Sequence, residues 1–469
     1  MLYHLVILGC QMNKSDGERV NTVIEGMGYK WTENEEKADL LGVLACSVRQ
    51  KSIDKVYSRI RKWNSRKNNK NFITFISGCI LQADKEKFLK LFDLVFETND
   101  LTDLPDMLSQ YGVVTPIKKS IKDIQHKKLT HVEEGTSKDS KPVNTRSEDK
   151  VLNFWEISPL YNSLFEAYIP IQNGCDKFCT FCAVPYTRGR EISRPSGEIL
   201  SELKYLVNKG YKSITLLGQN VNSYGFDRRG EEKSFPQLLQ DIGEFGKSSG
   251  KDFWVYFTSP HPRDMTDEVI KAVAKYNCLA KHMHIPLQSG DNEVLKKMNR
   301  NHTVEEYLII IDSVSKEIPE ATLFTDIIVG FTDETEEQFE NTRKVMERLK
   351  FNMAYIAQYS PRPGAVSYNW EDNVSPEVKK KRLHILTEEL KKYAMEYNKR
   401  LINKKIKVLV TGTDRKNGFL SGINEGRIIV RFQSKDTSLI GRFVYIIITS
   451  ATEFASEGEL IKKTKPELV

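Results

Sequence analysis

The chain has 469 residues, 39% hydrophobic and 28% charged, a composition that excludes a fully disordered chain and a length that suits roughly three domains. No run of about 18 apolar residues occurs, so no membrane-spanning helix is expected, and the opening MLYHLVILGC reads as a strand rather than a secretion signal. Seven cysteines are too few for a disulfide scaffold and point to a reducing, cytoplasmic setting and metal chemistry, while the net charge of +7 invites the question of where the excess sits.

Residues 1–112 read as a small α/β domain. LVILGC (5–10), LLGVLAC (40–46) and FITFISGC (72–79) are short apolar runs of strand type. Val20, Val23, Ile24 and Met27 follow the first at helical spacing; Val56, Tyr57 and Ile60 follow the second. Strand alternating with helix implies a parallel sheet. Residues 113–160 change character: Lys118 to Lys150 is rich in Lys, Ser, Thr, Asp and Glu, and a basic linker is predicted. Residues 161–400 alternate again, with strands expected at 168–172, 213–219, 253–259, 282–288, 323–330 and 353–359 and a long helix from about 375 to 400. Six β/α repeats suit a parallel barrel or partial barrel. Residues 401–469 carry short β segments between Gly, Asn and Asp turns, the pattern of a small antiparallel β-barrel. They hold 12 basic and 7 acidic residues, whereas the chain outside this tail and residues 117–150 is balanced, 49 against 50. A positive C-terminal module suits a polyanion, most simply nucleic acid.

Six of the seven cysteines are patterned. Cys175, Cys179 and Cys182 form C-x3-C-x2-C just after the first barrel strand. No fourth Cys or His follows within that loop to complete a tetrahedral zinc site. Three thiolates on a [4Fe-4S] cluster leave one iron open to a small molecule. Cys10, Cys46 and Cys79 each close an expected strand, so a parallel sheet gathers them at its carboxyl edge, where ligands collect. Gly9 and Gly78 precede two of them and permit close backbone approach. The plainer reading, small buried hydrophobes, fits any one of these thiols better than three at one structural position. Cys278 has no partner by spacing and reads as a structural thiol.

Together these residues resemble the methylthiotransferase family of the radical SAM superfamily. The resemblance is carried by GCQMN (9–13), CSVRQ (46–50), CDKFCTFCAVPYTRGREISRP (175–195), LLGQNVNSYG (216–225), HMHIPLQSGDNEVLKKMNR (282–300), DIIVGFTDETEEQF (326–339), YSPRPGA (359–365) and the segment ending LIGRFVYIIITSATEFASEGEL. That last segment resembles a TRAM domain, a small RNA-binding β-barrel. GCQMN and CSVR most resemble the MiaB type, which converts N6-isopentenyladenosine beside the anticodon of certain tRNAs to its 2-methylthio derivative. Other members act on threonylcarbamoyladenosine or on a ribosomal-protein aspartate. A reading of another class is a non-catalytic RNA-binding protein with zinc in the cysteine sites.

The resemblance implies an N-terminal parallel α/β domain, a radical SAM partial (βα)6 barrel and a TRAM-like barrel. It implies two [4Fe-4S] clusters and S-adenosylmethionine, two molecules per product. Cys175, Cys179 and Cys182 would bind the cluster that cleaves this cofactor. Cys10, Cys46 and Cys79 would bind an auxiliary cluster that carries the transferred sulfur, facing the first across the target base. Gly218, Gln219 and Asn220 would contact the cofactor's methionine part. The implied partners are the anticodon loop of tRNA and an electron donor such as flavodoxin or ferredoxin, with no membrane and a monomeric state expected. Arg188, Arg190 and Arg194 are candidates for phosphate or substrate; Lys404, Lys405, Lys407, Arg415, Lys416, Arg427 and Arg431 are candidates to grip the tRNA backbone, whereas Lys127 and Lys128 read as solvated. His282 and His284 share one face of a strand, near cofactor or as a core pair; Tyr359, Pro361, Arg362 and Pro363 form a rigid loop without an assigned role. Three departures stand out: Thr332 and Asp333 replace the family's Pro-Gly in a GFPGET-like turn, the linker 113–160 is longer than usual, and Asn403 replaces the glycine that commonly opens the TRAM barrel.

Overall fold

The computed structural model describes residues 1–48, 50–68, 70–111 and 145–461. The chain forms two compact units that are not contiguous in sequence. One comprises Met1–Asn162, Gln172–Arg194 and Arg362–Tyr368; the other comprises Ser163–Ile171, Pro195–Pro361 and the chain from Asn369 onward.

The first unit is built on an all-parallel sheet of order β2-β1-β3-β4-β5, with β1 at Leu2–Ile7, β2 at Lys30–Trp31, β3 at Leu40–Cys46, β4 at Ile73–Cys79 and β5 at Leu94–Val95. Strand β3 is central and buried along its whole length, which is why LLGVLAC is a continuous apolar run. Its side chains divide by the two-residue period: Leu40 and Leu44 enter one core with Tyr3, Val20, Ile24 and Phe75, while Leu41 and Val43 enter the other with Ile53, Val56, Ile60 and Trp63. The helix Gln50–Arg66 presents that second set at helical spacing. The helix Gln11–Gly26 departs from the simple amphipathic pattern, because Asn13, Ser15, Asp16, Glu18 and Arg19 are all buried on it.

Two expectations are corrected here. The first strand ends at Ile7, so Cys10 lies beyond it and caps the following helix; only Cys46 and Cys79 end strands. Gly9, at φ +125°, turns the chain between the two. The expected linker 113–160 is not linker throughout. Its first part, with Lys127 and Lys128, lies outside the described residues, but Thr145–Glu156 is a helix whose Val151, Phe154 and Trp155 complete the first core.

The second unit holds six parallel strands in chain order: β6 (Glu166–Pro170), β7 (Ser213–Leu217), β8 (Trp254–Phe257), β9 (His282–His284), β10 (Thr322–Val329) and β11 (Met353–Gln358). β6-β7-β8 and β9-β10-β11 are two parallel sheets, joined where Val255 bridges Leu279 ahead of β9, and together they make the partial barrel. After the helix Pro376–Lys399 comes a closed five-stranded barrel of β12 (Lys405–Thr413), β13 (Phe419–Asn424), β14 (Ile429–Gln433), β15 (Phe443–Ala451) and β16 (Ala455–Leu460). Four of its pairings are antiparallel as expected, but β14 and β16 run parallel. Asn403 opens it at φ +65° with its N–H on the Ile448 carbonyl at 2.8 Å, a backbone state that Asn tolerates better than most residues. The small barrel is seated on the amino ends of the large one: Phe443 meets Trp254 ring to ring at 4.6 Å, and the Thr322 hydroxyl donates to the Gly426 carbonyl at 2.9 Å.

Candidate functional site

The carboxyl edge of the first unit's sheet gathers Cys10, Cys46 and Cys79. Cys46 and Cys79 are register partners on adjacent strands, and their thiols are hydrogen-bonded. The two glycines are what bring the chain this close. A Cβ on Gly9 would lie 2.8 Å from the Cys46 Cβ, and one on Gly78, at φ +111°, would lie 2.4 Å from the Ala45 carbonyl oxygen. Fully buried Asn13 ties the edge together, its amide donating to the carbonyls of Leu8 and Ala45, both at 2.8 Å. The Ser47 N–H donates to the Cys79 carbonyl at 2.8 Å.

The second trio belongs to the same unit. Gln172–Asn173 pairs antiparallel with Ile192–Ser193, so the intervening residues form a closed loop. Within it the Cys182 N–H donates to the Cys179 carbonyl at 2.9 Å and the Cys175 N–H to the Gly189 carbonyl at 3.2 Å. Gly174, at φ +81°, lets the loop cross itself, since a Cβ there would sit 1.9 Å from the Arg190 carbonyl oxygen. The short helix Val184–Arg188 then delivers Arg188 to the first trio. Its Nε donates to Cys79 Sγ at 2.8 Å, and its terminal nitrogens donate to Asn173 Oδ1 at 3.1 Å, Asn13 Oδ1 at 3.2 Å and Asp16 Oδ2 at 2.6 Å. A cavity of about 290 Å³ opens between this helix and the end of β4, lined in part by Gly78, Ile80, Asn99, Asn173, Tyr186 and Arg188.

The electrostatics follow from burial. The hydrogen bond from Cys46 and burial push the Cys79 thiol well up, against the pull of Arg188. Burial pushes the Cys175 thiol up to about 12. Burial also works against charge on Arg188, yet Asp16, Cys79 and Cys10 hold it above the ordinary arginine range. Arg362 adds a second cation near the first trio: its segment packs in this unit, it donates to Gln50 Oε1 at 2.9 Å, and burial lowers it while Asp54, Asp84 and Cys46 oppose that.

Sequence reasoning missed most of this polar bridge. Of the arginines read as candidates for phosphate or substrate or as structural residues, Arg188 turns inward; Arg190 pairs with Asp176 at 2.7 Å and covers the Phe178 ring, and Arg194 is buried. Asn13 and Asp16 lie on a helix whose polar residues Asn13, Ser15, Asp16, Glu18 and Arg19 are buried, whereas such residues on a helix ordinarily read as a solvated face.

The remaining candidates lie in the other unit. Gly218, Gln219 and Asn220 follow β7. The Asn220 amide is engaged, donating to Asp264 Oδ2 at 3.0 Å and accepting from the His261 N–H at 3.1 Å. His282 is a core residue: it stacks edge-on to Phe324 at 4.4 Å, and burial, then Arg427, lowers its pKa. His284 pairs with Asp326 at 2.8 Å beside the exposed ring of Tyr355. The GFTDET turn finds its geometry with Gly330 at φ +69° and Asp333 at φ +61°, the latter held by Lys297 and Asn373. Cys278 is buried against the Ile242 carbonyl, as a structural thiol should be. Among the basic candidates of the small barrel, Arg427 is corrected: it lies 4.1 Å over the Tyr256 ring and donates to Thr215 Oγ1 at 2.8 Å, inside the unit.

Three family models match the chain: the radical SAM superfamily over residues 169–346, a family described as uncharacterized protein family UPF0004 over 2–97, and the TRAM domain over 399–461. Relatives align nearly end to end. The tRNA-2-methylthio-N(6)-dimethylallyladenosine synthase of Thermoanaerobacter pseudethanolicus is 38% identical, covering 98% of this chain and 93% of its own. Those of Oceanobacillus iheyensis and Dictyoglomus thermophilum are 36% and 35% identical, covering 97% and 98% of this chain and 83% and 99% of theirs. The chain belongs to this synthase family. A solved structure, the radical S-adenosylmethionine methyltransferase TsrM from Kitasatospora setae, matches with a TM-score of 0.53 at 13% identity, covering 90% of this chain and 77% of that one, a likeness of fold.

Membership in the synthase family and the radical SAM superfamily carries S-adenosylmethionine and a [4Fe-4S] cluster with it. The donor sets fit such a group. Each trio offers three free thiols as soft donors. A four-iron cluster takes each thiolate on its own iron. Buried thiols kept protonated are inert alone and ionise on binding metal.

Proposed function

We propose that this chain is a tRNA methylthiotransferase that replaces the C2 hydrogen of N6-isopentenyladenosine next to the anticodon with a methylthio group. The observation that carries the reading is the gathering of two cysteine trios, far apart in sequence, into one compact unit of a chain that aligns end to end with synthases of that name. C2–H is not removed by any general base at neutral pH. When bound, S-adenosylmethionine and the iron–sulfur clusters supply the one-electron chemistry and the sulfur that side chains lack. Cys175, Cys179 and Cys182 hold the cofactor-cleaving [4Fe-4S] cluster, and Cys10, Cys46 and Cys79 hold a second. Gly218, Gln219 and Asn220 serve the methionine part of the cofactor, with Asn220 held in place by Asp264 and His261. We carry the divisions at 1–112, 161–400 and 401–469 in the same way, as cluster-binding, radical and RNA-binding parts. The described helices include none long and apolar enough to cross a membrane. A monomer in the cytoplasm, reduced by a flavodoxin or ferredoxin, completes the proposal.

Mass spectrometry of tRNA nucleosides tests the substrate. A strain lacking the gene should lose 2-methylthio-N6-isopentenyladenosine and regain it on complementation; an unchanged signal, or loss of the methylthio-threonylcarbamoyl nucleoside instead, overturns the assignment. Cys175→Ala should abolish cofactor cleavage, and Cys46→Ala should keep cleavage while losing transfer. Anaerobic reconstitution should give about eight iron per chain; stoichiometric zinc without iron would favour a non-catalytic RNA-binding protein.

A further inference from the structure

Arg188 occupies a place that neither a surface role nor a simple ion pair accounts for. Its side chain is 8% exposed and that of Asp16 is 2% exposed, so both charges have left water. A buried ion pair contributes little net stability against an apolar pair of the same shape. The guanidinium does more than pair. Nε is spent on a sulfur, Cys79 Sγ, and the terminal nitrogens on Asp16, Asn13 and Asn173, a division of the fork that a lysine cannot copy. Asn13 in turn accepts from Cys79 Sγ at 3.5 Å and holds the carbonyls before both Gly9 and Cys46. Arg188 is also six residues beyond Cys182, on the loop of the other trio.

We infer that Arg188 is a positioning residue for the second cluster: it orients the Cys79 sulfur, sets a fixed positive charge beside an anionic thiolate–iron centre, and fastens the cofactor-cleaving loop to that centre, with Asp16 as the counter-charge that keeps it in place. The inference rests on the reading of Cys10, Cys46 and Cys79 as cluster ligands. Partners of this kind around metal ligands typically tune affinity by about 10–100-fold. A cation beside an anionic centre favours its reduced, more negative state.

The test uses the full chain with Cys175, Cys179 and Cys182 replaced by Ala, so that reconstitution loads the second site alone. Into it go Arg188→Lys, Arg188→Gln, and Arg188→Gln combined with Asp16→Asn. Three quantities are read: the melting temperature of the metal-free protein, the rate of iron loss to a chelator, and the midpoint potential of the cluster. Arg188→Gln should melt lower, because Asp16 is left unpaired. The double variant should recover the melting temperature yet lose iron at least about tenfold faster, with its potential shifted negative. Arg188→Lys should fall between Gln and Arg. A double variant with wild-type iron retention and potential would overturn the inference while leaving the cluster assignment standing. A background chain that takes up no iron would overturn the cluster assignment, and the inference with it.

Discussion

At the scale of single residues, the site rests on backbone that only glycine takes without strain. Gly78→Ala places a methyl 2.4 Å from a carbonyl oxygen in the left-handed region and should destabilise the protein by about 2–3 kcal/mol. Gly197→Ala, with nothing within 4 Å of the added methyl, is the matched control, and chemical denaturation compares them. His302 sets an acid limit. Burial and then Arg300 hold it down at about 4, against 6.5 for a free histidine. Between those values the unfolded chain binds the proton and the folded chain does not, so stability is full above pH 6.5 and is lost as pH falls toward 4. The loss is on the order of 3 kcal/mol, and His302→Asn should flatten the pH dependence of the urea midpoint by up to one proton. The C-x3-C-x2-C loop and the strand-end positions of Cys46 and Cys79 were legible in the sequence, whereas Cys10, beyond the end of its strand, was misplaced by pattern alone. Arg188 and Asp16 were not legible as a pair, since they meet across 172 positions and neither position has a local pattern that announces the other.

Among elements, the helix Thr145–Glu156 shows where composition misleads. Its surroundings are polar and charged, so the stretch looks like linker, yet Val151, Phe154 and Trp155 recur at helical spacing and are each at most 4% exposed in the first core. Trp155→Ala should cost about 3–5 kcal/mol, read as a fall in the melting temperature of the metal-free chain. A surface linker would show no change. The alternating strands and helices of the large barrel were readable because each carries its own period. The parallel β14–β16 pairing of the small barrel was not, because turn residues mark where strands stop but not which strands meet.

For the whole molecule, part of the charge that looked available to RNA is already engaged within the unit. Lys416 pairs with Glu457 and Arg431 with Asp414, and Arg427 is lodged between Tyr256 and Thr215. Lys404 and Arg415 are exposed and form no ion pair among the described residues. Replacing either with Ala should weaken tRNA binding and reduce the slope of log K against log salt by about one. Arg427→Ala should instead lower the melting temperature of the unit and leave that slope unchanged, which titrations at several salt concentrations would show. The interleaved course of the chain has a consequence for biosynthesis. The body that carries all six patterned thiols includes Arg362–Tyr368, so a ribosome must have made more than three-quarters of the polypeptide before that body can close.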